Sequence, residues 1–93
     1  MQNYNEVKIE EYDIYYLLNG EYHRIDGPAI IGYNHNGTIE NERYYLNGNR
    51  HRTGGPAVIV YYDDGCIAYE YYYLNNRYFS KKEFNRKCKT ITK

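Results

Sequence analysis

Two His-Arg pairs, His23-Arg24 and His51-Arg52, stand 28 residues apart in the same surroundings, Tyr-x-x-Asn-Gly-x-x-His-Arg-x-x-Gly-Pro-Ala. An imidazole near neutral pH can move protons or ligate a metal, and a guanidinium fork suits carboxylate or phosphate. With His35 the chain has three imidazoles, enough in principle for a metal site. His35, however, takes the repeat position of Asp63, which puts it at a hairpin tip away from the other two. The pattern therefore reads as scaffold. Each histidine is expected to pack against its cross-strand tyrosine and hydrogen-bond the Gly-Pro turn that follows. Arg24 and Arg52 are expected to bridge neighbouring rungs through Asp26, Glu42 or Glu70. No nucleophile, base and orienting group share one stretch, so the reading is of a non-enzyme without cofactor or metal. Cys66 and Cys88 lie in no CxxC spacing and read as two reduced thiols.

The elements that hold these residues follow from the repeat. The match runs on through Ala29/Ala57, Ile31/Ile59, Tyr33/Tyr61, Gly37/Gly65 and Ile39/Ile67, and enters a third copy at Tyr72-Tyr73-Leu74-Asn75. A fixed period in this range signals a repeat architecture. Asn19-Gly20 and Asn47-Gly48 are strong hairpin signals, because a type I′ turn needs positive φ at both central residues. A two-residue turn sets Leu18 opposite Glu21, and Tyr16 and Tyr44 opposite His23 and His51. Residues 7–18 read as one extended run, rich in β-branched and aromatic side chains. At Gly27-Pro28 and Gly55-Pro56 proline removes a ladder donor and glycine is expected to supply an unusual φ, so the chain leaves the strand. Ala29, Ile31 and Tyr33, with Ala57, Ile59 and Tyr61, alternate and so share a face, taken as the core. Asn36-Gly37 and Asp64-Gly65 then turn the chain into strands 39–46 and 67–74.

The third copy lacks both His-Arg and Gly-Pro-Ala. In their place Ser80-Lys81-Lys82-Glu83 fits a capping box, and a short helix follows with Phe84 placed to cover the open end of the sheet. The fold class is all-β, mainly: an antiparallel hairpin-repeat meander of about two and a half repeats with a short C-terminal helical cap. Its divisions within one domain, 1–93, are repeats 16–43 and 44–71, a partial repeat 72–79, a cap 80–88 and a loose tail 89–93.

Composition narrows the partners. Lys+Arg and Asp+Glu are equal at 12 each, whereas the chain has 15 Tyr, 2 Phe and no Trp. Contiguous tyrosines in a strand must face opposite ways, so one set is core and the other forms a recognition surface. Tyr45, Tyr71 and Tyr73 are assigned to that surface. From Arg77 onward the charges are nearly all basic, and Arg77, Lys81, Lys82, Arg86 and Lys87 form a candidate contact for protein or RNA. No apolar run approaches the length of a membrane span, and the polar start is not a signal peptide.

The motif His23-Arg24-x-x-Gly27-Pro28-Ala29, repeated as His51-Arg52-x-x-Gly55-Pro56-Ala57, resembles a repeat common in proteins of bacteriophages, giant viruses and some bacteria. In style it is similar to MORN-type β-hairpin repeats. The resemblance spans Tyr15 to Phe84. Family members often carry Trp where this chain has Tyr, and more often keep the Asp that is present as Asp26 and replaced by Gly54. The resemblance implies a meander of hairpins and a viral or mobile-element origin. Together these readings lead to an expectation of a phage-encoded counter-defence inhibitor, anti-CRISPR-like, acting in the cytoplasm of the infected host. It would occlude a host protein effector or its guide RNA complex. The alternative is a scaffolding module that self-associates into a homo-oligomer through its sheet edge.

Overall fold

Asn19-Gly20 and Asn47-Gly48 do form the tight turns that set the register of everything else. In the computed structural model their φ angles are +51° and +84°, and +50° and +80°, the paired positive values of a type I′ turn. The third turn uses Asn75-Asn76 at +47° and +69°. Asparagine tolerates that region better than other non-glycine residues. Leu18 faces Glu21 across the first turn, and the amides of His23 and His51 donate to the carbonyls of Tyr16 and Tyr44, both at 3.0 Å.

The structure describes residues 1–91, with the side chains of 88–91 left aside. Strands β1 (Glu6–Glu10), β2 (Asp13–Leu18), β4 (Ile30–Tyr33), β5 (Ile39–Arg43), β8 (Val58–Tyr61), β9 (Ile67–Leu74) and β10 (Arg77–Phe79) follow one another as an antiparallel meander. Two short strands close the hairpins: β3 (Glu21–Tyr22) on β2, and β7 (Asn49–Arg50) on β6 (Tyr45–Leu46). The mainly antiparallel β fold with one short C-terminal helix is thus as the repeat implied.

Three local readings are corrected. Residues 7–18 are not one strand: the chain reverses at Glu11-Tyr12, with Glu11 at φ +48°, and β1 folds back on β2 from Glu10↔Asp13 to Glu6↔Leu17. Neither Gly27 nor Gly55 has a positive φ. A Cβ at those sites would come within 3.0 and 3.2 Å of the guanidinium groups of Arg24 and Arg52. Glycine gives the arginine room to lie against the backbone there, and a larger residue would push the guanidinium aside. The helix, α1 (Lys81–Ile91), continues past the end expected for the cap and takes up residues 89–91 of the supposed tail; Thr92 and Lys93 lie outside the described residues.

Cross-strand neighbours explain the repeated alanines. Tyr16, Ala29, Tyr44, Ala57 and then the Tyr72 region form one row across the sheet, joined by the bonds Tyr16 N to Ala29 O and Tyr44 N to Ala57 O. Flanked by tyrosines on both sides, Ala29 and Ala57 are fully buried, and a larger side chain would have to displace a ring. Ile59 on this face is buried too, while Ile31, Tyr33 and Tyr61 are half-buried. The His-Arg loops and α1 cover this face. At the helix end Tyr72, Leu74, Phe79 and Phe84 make the buried cluster, with the Tyr72 and Phe84 rings 4.7 Å apart. Among the described residues no element packs over the opposite face as a second layer. The molecule measures 39 × 34 × 18 Å, the short dimension being that of one sheet covered on one side.

Candidate functional site

The residues matched between the two copies have structural partners, and the histidine partner is not the one its neighbours suggested. His23 Nδ1 accepts from the amide of Asn47 at 2.9 Å, and His51 Nδ1 accepts from Asn75 at 2.9 Å. Each ring therefore ties down the turn of the next copy, not the Gly-Pro turn behind it. For the first turn the acceptor is Asn5 Oδ1, which takes the Asn19 amide at 3.2 Å. Because Nδ1 accepts, a neutral ring must carry its proton on Nε2. The backbone repeats the link: the Arg24 and Arg52 amides donate to Tyr45 and Tyr73 carbonyls at 3.2 Å.

The arginines lie flat on tyrosine. Arg24 and Arg52 each place the guanidinium carbon 4.0 Å from a ring centroid, that of Tyr16 and Tyr44. Their Nη1 groups donate to the carbonyls of Pro28 and Pro56 at 3.3 and 3.2 Å. Arg24 Nε also pairs with Asp26 at 3.0 Å, a bond that holds the Asp26 carboxyl below its usual range, helped by Asn3. Arg52 has no such carboxylate, since Gly54 replaces Asp26. Neither arginine pairs with Glu42 or Glu70, so the expected bridge between rungs is corrected to a bond within one loop. Glu42 instead accepts from the Tyr61 hydroxyl at 2.5 Å; burial first, then that bond, pushes the Tyr61 phenol up to about 12.

The two repeat histidines differ in what lies above them. His23 is fully buried, because residues 2–4 pack over it: its Nε2 meets the Gln2 carbonyl at 2.7 Å, Asn3 Oδ1 accepts from the Ile25 amide at 2.9 Å, and the Tyr4 ring sits 4.7 Å from Tyr16. His51 is half-buried and faces an open groove, and desolvation lowers its pKa below the ordinary value of 6.5. His35 stacks on Tyr12 at 4.6 Å at a hairpin tip, apart from both. Among the described residues no three His, Cys, Asp or Glu side chains gather where they could hold a metal ion. Cys66 is exposed and free; the Cys88 side chain lies outside the described residues.

The tyrosine surface occupies the uncovered face. Tyr71 is exposed there and stacks on Tyr69, with ring centroids 6.3 Å apart and planes 13° apart. Tyr73 and Tyr45 share the face but are half-buried. Tyr73 lies under Arg50, whose guanidinium is 4.2 Å from its centroid, and against Tyr78; Tyr45 tilts on Tyr22 at 5.3 Å. Tyr69 and Tyr78 are more exposed than any of these three, each at 57%, and the reading of the sequence left them out. Alternation from Tyr71 would have found Tyr69, two residues back on the same side of the strand. Tyr15, Tyr22, Tyr45 and Arg43 rim a hollow of about 320 Å³ in this face.

The basic residues lie elsewhere. Lys81, Lys82, Arg86 and Lys87 are exposed on α1, which packs through Phe84 on the side of Tyr72 and Phe79. Arg77 pairs with Leu74 on that same side and lies over Phe79, 5.3 Å from its centroid. The tyrosines and the basic cluster are therefore on opposite sides of the sheet and do not form one surface. No helix is long and apolar enough to cross a membrane. Comparison with protein-family models, with curated proteins and with solved structures gives no match.

Proposed function

We propose that this chain is a non-catalytic binding protein that presents its bare tyrosine face to a protein partner. The observation that carries the reading is the row of rings on a sheet face over which no described element packs, including Tyr22, Tyr69, Tyr71 and Tyr78, all more than a third exposed. Tyrosine gives large, rigid contact area with a polar tip, the chemistry of interface anchors. The hollow beside Arg43 offers a place for one anchoring side chain. The viral resemblance of the repeat supports the finer reading, a counter-defence inhibitor that occludes a host immune effector.

The test is capture of partners from bacterial host lysate by the tagged protein, with and without RNase, beside a Tyr69→Ser/Tyr78→Ser variant. The expected result is one host protein retained after RNase and lost with the double variant. Its activity should then be inhibited by the wild-type chain in a purified assay. Retention by the variant would overturn the tyrosine face as the site. Capture that depends on RNA and falls steeply with salt would move the contact to the basic helix. A homo-oligomer with no partner would favour the scaffold.

A further inference from the structure

One rim of the sheet is a bare strand. β1 stands first in the strand order, and among the described residues nothing pairs with its outer side; every residue in it is exposed. Its register with β2 fixes which main-chain groups look outward. Val7 is opposite Tyr16, and Tyr16 spends both its groups elsewhere: the amide donates to the Ala29 carbonyl at 2.8 Å, and the carbonyl accepts from the His23 amide at 3.0 Å. Antiparallel pairs alternate between bonded and unbonded, so Val7, and Ile9 beyond it, each turn an amide and a carbonyl to the free side. The side chains alternate as well. Val7 and Ile9, 47% and 71% exposed, lie on the side of the His-Arg loops, while Glu6, Lys8 and Glu10 lie with Leu17, Tyr15 and Asp13 on the tyrosine side. The opposite rim, β10, is three residues long and runs into α1, so β1 is the edge with room for a strand.

We infer that β1 is a docking edge for an extended strand of another protein whose side chains run basic, apolar, acidic, apolar, basic. Laid antiparallel, the apolar residues of that strand stand opposite Ile9 and Val7, exchange main-chain hydrogen bonds with both, and cover their side chains. On the tyrosine side one cation meets Glu10, the carboxylate meets Lys8 and the other cation meets Glu6. Charge also decides against a second copy of this chain. The register that bonds every outward group sets Val7 opposite the copy's Ile9, and with it Lys8 opposite Lys8 and Glu6 opposite Glu10. Like charges directly opposed are destabilising, whereas unlike ones are favourable. Slipping the copy restores unlike pairs but sets Ile9 against Asn5, whose amide is already given to Leu17, or Val7 against the turn at Glu11. The acid-base-acid order thus closes the edge to itself and leaves it open to its complement, a use of charge that natural sheets make against edge-to-edge association. Within β1, Lys8 and Glu10 form only a loose surface pair at 3.8 Å, which offers an incoming strand little resistance. The edge borders the tyrosine face and does not depend on it.

The probe is a fluorescein-labelled Ser-Lys-Val-Glu-Val-Lys-Ser peptide, titrated by anisotropy against the intact chain. A Ser-Glu-Val-Lys-Val-Glu-Ser peptide, with the charge order of β1 itself, stands for self-pairing. The first should bind about tenfold tighter, since every opposed pair turns from like to unlike charge, and the gap should narrow in high salt. Hydrogen exchange should slow at the Val7 and Ile9 amides when it binds. Methylating the amide nitrogens of both peptide valines, which donate to the Ile9 and Val7 carbonyls, should abolish binding; methylating that of the glutamate, which faces away, should not. In the protein, Glu6→Lys/Lys8→Glu/Glu10→Lys changes only exposed side chains. Its thermal midpoint should hold while its preference between the two peptides inverts. Tyr69→Ser/Tyr78→Ser should leave the affinity unchanged, which separates failure of this edge from failure of the tyrosine face. Equal binding of the two peptides, binding that survives methylation of the valines, an unchanged preference in the charge-reversed variant, or no binding at millimolar peptide would each overturn the assignment.

Discussion

Replacing His23 by alanine removes an acceptor from the Asn47 amide and leaves a hole under residues 2–4. The cost should be about 3 kcal/mol, from a lost buried hydrogen bond and a cavity together. His51 does the same for Asn75 but is half-buried, so His51→Ala should cost less; urea unfolding of both variants checks the order. His51 also carries a pH dependence. Its folded pKa lies below 6.5, so the unfolded chain takes up the proton first as pH falls. The stability it contributes is full above about 6.5 and is lost as pH drops through that value towards the folded pKa, because a protonated Nδ1 cannot accept from Asn75. Unfolding curves at pH 8 and 5.5, with His51→Ala as reference, measure it. At this scale the sequence marked the right residues and gave the wrong partners. The bond from His23 reaches an amide 24 residues on, set by how rungs stack, and no cross-strand rule reveals it. The glycine before proline was misread for a similar reason. Local sequence speaks of φ, whereas the constraint comes from an arginine lying on the backbone.

Among the elements, α1 begins where its local signal says it should. The Ser80 amide donates to Glu83 Oε1 at 3.1 Å and the Glu83 amide to Ser80 Oγ at 3.2 Å. The Ser80 backbone bond, and then its side chain, hold the Glu83 carboxyl below the usual range. Ser80→Ala should cost about 1 kcal/mol through the lost cap. It should also let the Glu83 pKa rise towards its ordinary value; thermal unfolding and an NMR titration read the two effects. A capping box is complete within four residues, which is why it was legible. The far end of the helix was not, since Cys88-Lys89-Thr90-Ile91 contains no glycine or proline to stop it. Nor was the reversal at Glu11-Tyr12, which lacks the Asn-Gly of the first two repeat turns and is held instead by pairing of all of β1 with Asp13 to Leu17 of β2.

For the molecule as a whole, the repeat period disclosed the meander but not what covers each side of it. Alternation separates Tyr71 and Tyr73 from Tyr72 whichever face is buried; the choice is made by loops and a helix that arrive from other copies. That is why the tyrosines and the lysines, close in sequence, lie on different sides of the sheet. The copies are bound to each other by strand pairing, by the amide links of Arg24 and Arg52, and by the histidine bonds. Strong coupling between neighbouring units makes a short array unfold as one. Circular dichroism and tyrosine fluorescence should accordingly trace one coincident urea transition, and two separated transitions would contradict that coupling. The same regularity bears on residues 2–4, which lie over His23 as a strip of peptide. If another copy of 44–71 were spliced in after Tyr71, the links at either junction would be those already present. Each added copy would lengthen the tyrosine face by one more pair of strands, so valency, and with it avidity for a multiply displayed ligand, could be counted out in units of 28 residues.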